Sequence, residues 1–137
     1  MIVIANFRDN LSSLLGYEDI RIDRSSTLGN PYDLKDKDNT DHRRKVVIAY
    51  KKWFKANLSI SDTNIVVALD TDLLLAKNRK NTTVGEFKQE LRTILRKILD
   101  GKNIRLMCWC YPKECHGEVV RDYLEKYVTM IKNSNLN

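Results

Sequence analysis

Cysteine is scarce in this chain and confined to one place: three residues of 137, all between Cys108 and Cys115. An odd number at local spacing is not a secreted disulfide framework. It fits a reducing compartment in which the thiols are free, reactive or metal-bound. Long apolar runs are missing as well; none approaches the ~18 residues that cross a bilayer. The first residues carry no signal-peptide pattern. Together these features predict a soluble, cytoplasmic protein with no membrane partner. There is no internal repeat, low-complexity tract or composition break, so residues 1–137 read as a single domain. No complete phosphate-loop or dinucleotide fingerprint is present, and no second Cys-x-x-Cys knuckle marks a zinc finger. The few aromatics do not recur at the strand spacing of a single-strand nucleic-acid binder. Oligomeric state leaves no signal in the sequence.

What is present is an ordinary globular composition, 42% hydrophobic and 31% charged, with a formal net charge of +6. A chain of this length can bury a real core. The positive charge points toward anionic partners, although scattered basic residues equally describe a solvated, lysine-rich surface.

Apolar runs at Ile2–Phe7 and Ile104–Cys110, and alternation over Asp19–Asp23, predict three strands. Helical stripes predict helices from about Asp41 to Asn57, after a Thr83/Glu86 capping box, and from Gly117 to about Asn133. Gly101 is placed to end the second helix. Residues 58–80 are ambiguous: 65–69 could be a strand, and Leu73–Ala76 could begin a helix. Asp33–Asp41 reads as a charged loop without apolar anchors. Residues 133–137 should fray. The expected fold is a small Rossmann-like α/β domain, a mostly parallel sheet flanked by helices.

In such sheets ligands bind beyond the carboxyl ends of the strands. Two predicted loops leave strand ends there. The first, Arg24 to Tyr32, carries Ser26, Gly29, which permits positive φ, and Asn30, held out of the helical region by Pro31. The second, Tyr111 to His116, leads into the third helix, whose unpaired N–H groups would favour an anion or a thiolate. Cys108 and Cys110, two apart on a strand, should share a face about 6.5 Å apart, with Trp109 in the core on the other face.

From Arg24, Leu28-Gly29-Asn30-Pro31-Tyr32, Arg43 and Tyr50, Gly101-Lys102 and Cys108-Trp109-Cys110-Tyr111-Pro112-Lys113-Glu114-Cys115-His116-Gly117, the chain resembles a small bacterial and phage family, domain of unknown function 4326. The resemblance spans about Ile20 to Tyr127. It implies a compact α/β domain with the Gly-Asn-Pro and Cys-His loops as its signature, and names no activity. Glu118 stands where an aspartate is expected. Residues 58–80 read as a family-variable insertion.

The candidate site follows from these loops. Arg24 and Arg43 could clamp a phosphate or carboxylate, and Asn30 could read a base or sugar edge. Ser26, Gly29, Cys110 and Gly117 complete the ligand-binding set. His116 is the candidate acid or donor, and Cys115 the candidate activated thiol, its pKa lowered by the helix start. Zinc is the one cofactor with ligands at hand: Cys108, Cys110, Cys115 and His116. The adjacency of Cys115 and His116 argues against their sharing an ion, so no metal is expected. Packing and helix capping are the plainer roles for the cysteines. His42 reads as solvated, and Asp70 and Asp72 as plain loop.

The reading favoured is an enzyme, a hydrolase or transferase acting on a nucleotide-, nucleoside- or sugar-phosphate-like ligand. The alternative is a non-catalytic, zinc-stabilised module that binds nucleic acid or modulates host machinery.

Overall fold

The structure, a computed structural model, describes residues 1–8, 16–60, 73–76, 79–80, 82–111 and 113–134. Among these are three strands and three helices: β1 (Ile2–Asn6), β2 (Tyr17–Arg21), α1 (Thr40–Ser59), α2 (Val84–Leu99), β3 (Asn103–Cys108) and α3 (Gly117–Ser134). The strands form one parallel sheet in the order β1-β3-β2. The small Rossmann-like α/β fold is therefore as expected. Because the sheet is parallel, Asn6, Arg21 and Cys108 all end at one edge, and the loops that follow them meet there.

β3 is the central strand and is buried from Ile104 to Cys108. Its one charged residue, Arg105, lies opposite Asp19 in the β2 register. The guanidinium donates to both carboxylate oxygens, at 2.6 and 2.9 Å, so the buried charge is matched on the neighbouring strand.

The helices end as their sequences dictate. Asn39 caps α1 through the His42 N–H. Thr83 and Glu86 close the reciprocal capping box of α2. Gly101 takes φ 91° just past α2. The Gly101 and Lys102 N–H groups bond back to Ile98 and Lys97, the paired bonds of a Schellman motif. Trp53 and Phe54 of α1, with Tyr50 packed against both, meet Phe87 of α2, and Phe54 meets Tyr123 of α3.

Several expectations need correction. Leu73–Ala76 does not begin a helix. Leu75 makes an antiparallel bridge to Tyr32, and Ala76 N–H bonds to the Pro31 carbonyl. The loop before α1 does have an apolar anchor, since Leu34 packs against the core. His42 lies inside α1, where its ring accepts the Lys35 N–H. Residues 65–69, Asp70, Asp72 and Pro112 lie outside the described residues. Among the described residues, no helix is long and apolar enough to cross a membrane.

Candidate functional site

At the carboxyl edge of the sheet lies a cavity of about 160 Å³ lined by Asp23, Arg24, Asn30, Arg43, Trp109, Cys110, Cys115 and His116, among others. A wider recess of about 520 Å³ adjoins it, with Asn6, Arg8, Lys37, Tyr111 and Lys113 in its walls. Arg24, Leu34, Arg43, Trp109 and Cys110 border both.

The first wall is the loop after β2. Ser26 N–H and Oγ–H both donate to the Asp23 carbonyl, which folds the chain back on itself. Gly29 then packs onto that turn: a Cβ there would lie 2.2 Å from the Asp23 oxygen. Gly29 is thus required by a close backbone approach, and not by positive φ, which among non-terminal glycines of the described residues only Gly16 and Gly101 adopt. Asn30 accepts the Tyr32 N–H through Oδ1, a side-chain turn, and its amide donates to the Val46 carbonyl of α1; the residue also lines the cavity. Tyr50, fully buried, donates to the Leu28 carbonyl at 2.6 Å and stands edge-on to the His116 ring, so α1 ties the two loops together.

The charges are arranged unequally. Burial would raise the Asp23 carboxyl, but hydrogen bonds from Arg21, Ser25 and the Trp109 indole outweigh it and hold the pKa below the usual value. Arg21 grips it with two bonds, so Asp23 is already neutralised. Among the described residues, the two arginines facing the cavity have no carboxylate partner of that kind. Arg24 donates one bond to the Tyr32 carbonyl, and its Nε is buried with no hydrogen-bond partner among the described residues. Arg43, buried, is oriented by the carbonyls of Lys37 and Glu114.

The thiols form one cluster. Cys115 Sγ lies 2.9 Å from Cys108 Sγ and accepts the Gly117 N–H. Hydrogen bonding to Cys108 and Cys110, together with burial, pushes the Cys115 pKa up. The expectation of an activated thiol at Cys115 is therefore corrected. Burial and the neighbouring Cys108 and Cys110 thiols outweigh any effect of the helix start, so Cys115 keeps its proton. Thiolate character falls instead on half-buried Cys110. The Cys115 hydrogen bond and the Arg43 and Arg24 guanidinium groups bring it down to about 6, against burial. The α3 mouth is also less open than expected, since Gly117, Glu118 and Val119 N–H all find acceptors at Cys115 and His116.

His116 is buried. Burial lowers its pKa to about 4, with Arg24 acting in the same direction. Its Nε2 meets the Ile22 carbonyl, which fixes the proton on Nε2 and leaves Nδ1 as a lone pair, 3.7 Å from Cys115 Sγ.

The family model described as Domain of unknown function (DUF4326) matches residues 6–126. The chain belongs to the DUF4326 family. Neither curated proteins nor solved structures give a match.

In this DUF4326 domain the expected residues divide. Arg24, Asn30, Arg43, Cys110, Cys115 and His116 come together at the cavity. Ser26, Gly29 and Gly117 support it from behind. A Cβ at Gly117 would sit 3.0 Å from Ile22 and 3.3 Å from Ile4, so this glycine lets α3 approach the sheet. Trp109 is the clearest correction. It is 54% exposed and not in the core, because β3 ends at Cys108 and the strand alternation ends with it. Asn6 was missed. Its amide donates to the Trp109 and Tyr111 carbonyls and so clamps the β3–α3 loop; a polar residue closing an apolar strand was the available signal.

The cluster does not fit zinc as it stands. Among the described residues, no three His, Cys, Asp or Glu side chains are placed to hold one ion. Two thiolates on a tetrahedral zinc stand about 3.8 Å apart, given Zn–S bonds of about 2.3 Å. The Cys108 and Cys115 sulfurs are closer than that.

Proposed function

We propose that this DUF4326 protein binds a nucleotide-, nucleoside- or sugar-phosphate-like anion at the carboxyl edge of its sheet, with the anionic group between Arg24 and Arg43. The carrying observation is the convergence of these two guanidinium groups on one cavity, with Arg24 Nε buried and unpartnered among the described residues. Among the described residues, Arg24 bonds the Tyr32 carbonyl and Arg43 two backbone carbonyls, so neither charge is neutralised by a carboxylate and both are available to an anion. The small volume behind the arginines suits an anionic group, and the wider recess suits the rest of the ligand.

The second half of the proposal is turnover, by hydrolysis or group transfer at a glycosidic or phosphate bond. The groups available are the Cys110 thiolate as nucleophile and His116 Nδ1 as proton acceptor. Asp23 is held by Arg21 and Ser25 and is not offered as a base.

The test is thermal unfolding of the purified protein with a panel of nucleotides, nucleosides and sugar phosphates, repeated in Arg24→Ala. A stabilising ligand whose effect disappears in the variant supports binding. No stabilisation by any member, together with strongly salt-dependent binding to DNA or RNA, would favour the nucleic-acid module instead. Incubation of the bound ligand followed by chromatography decides turnover.

A further inference from the structure

We propose that Trp109 is a stacking platform for a nucleobase, so that the ligand of this site is a nucleoside phosphate and not a bare sugar phosphate. The proposal rests on the anion-binding reading of Arg24 and Arg43 and narrows it.

Trp109 is exposed, yet its ring is fixed. It packs on Phe7 with centroids 4.6 Å apart, and the Arg21 guanidinium lies over Phe7, 4.6 Å from its centroid. Asn6 holds the Trp109 carbonyl. An exposed tryptophan normally gives up apolar area to water and keeps its rotamer freedom. This one is held by Phe7 and through its backbone. Its remaining surface borders both the small cavity and the wider recess.

The placement is the informative part. The arginines that would hold a phosphate and the ring that would hold a base border the same two spaces. Every base offers a π-face, and stacking on an aromatic side chain contributes about tenfold or more per base. A sugar phosphate has no such face and leaves the ring in water. Lys113 is paired with Asp38 at the rim of the recess, and Arg8 and Lys37 add positive charge there, on the side from which an anion would approach.

The chain contains two tryptophans, and Trp53 is buried in the core, so ligand-dependent fluorescence quenching reports on Trp109. The experiment titrates wild type, Trp109→Leu, Trp109→Phe and Arg24→Ala with adenosine 5′-monophosphate, guanosine 5′-monophosphate and ribose 5-phosphate. Quenching is followed in the two proteins that keep Trp109, the Trp109 variants giving the Trp53 background, and calorimetry in all four. Wild type should bind a monophosphate at least tenfold tighter than ribose 5-phosphate. Trp109→Leu should lose that preference but keep its ribose 5-phosphate affinity, and Trp109→Phe should recover part of it. Arg24→Ala should weaken both ligand classes. Equal binding of the two classes by wild type, unchanged in Trp109→Leu, would overturn the base platform while leaving the anion site standing. No binding of either class would overturn both. Binding of a single-stranded oligonucleotide without any monophosphate binding would overturn the proposal in favour of a nucleic-acid surface.

Discussion

The Nε2 of His116 lies 2.5 Å from the carbonyl oxygen of Ile22, so the start of α3 is hydrogen-bonded to the residue just past β2. Burial keeps the ring neutral, against the pull of that hydrogen bond. Its pKa falls from 6.5 to about 4 on folding. Between those values the unfolded chain binds a proton that the folded chain does not. Stability is thus fully present above about pH 6.5 and declines as the pH falls toward 4, by roughly 3 kcal/mol across the window. Urea unfolding between pH 7.5 and pH 4.5 should show this slope, and His116→Gln should flatten it. Asp23, held below the usual carboxylate value, acts under this window; Cys110, lowered to about 6, adds a slope of the same sign above pH 6, so the comparison with His116→Gln is read below pH 6. An unchanged slope in the variant would place the acid sensitivity elsewhere.

Cys110 should be the first thiol to react. With a pKa of about 6 and partial exposure beside Arg43, it is largely thiolate at pH 7. Cys108 and Cys115 are buried. Limiting iodoacetamide at pH 7 followed by peptide mapping should find Cys110 modified first, with a rate that rises through about pH 6. Arg43→Met should shift that rise upward. Preferential labelling of Cys115 would contradict the hydrogen-bonding order proposed for the cluster.

Zinc should be absent from the protein as purified without chelator. The Cys108–Cys115 separation is too short for two thiolates on one ion, and Cys115 already caps α3 through Gly117 N–H. Elemental analysis should give well under one zinc per chain. About one per chain, lost together with stability in Cys110→Ser, would show that the sulfurs spread to ligate a metal.

Gly29→Ala should be costly and Gly85→Ala should not. At Gly29 the new methyl would meet backbone atoms at 2.2–2.8 Å, which cannot swing aside, so the loop must open. A loss of about 2 kcal/mol or more is expected, with ligand binding lost along with it. At Gly85, in the first turn of α2, the nearest atom is 3.8 Å away, and alanine should stabilise by up to about 1 kcal/mol. Urea unfolding of both variants checks the contrast.

Much of the fold was legible because its signals are local. Helical stripes, the Thr83/Glu86 capping box and the Gly101 stop depend on residues a few positions apart, and each element formed within a few residues of its predicted bounds. The gathering of Arg24, Asn30, Arg43 and His116 followed from a parallel sheet, which places every strand's carboxyl end at one edge. The fate of Trp109 was not legible, because it turns on whether β3 runs two residues further, and a short apolar run does not mark its own end. Thiol reactivity was not legible either. A helix start suggested Cys115, but a thiol pKa depends on which sulfurs and guanidinium groups surround it in space. Arg43 reaches Cys110 from a helix far away in the sequence. Sequence spacing governs hydrogen bonds along one element; burial and charge at a site are summed over elements, and only packing decides that sum.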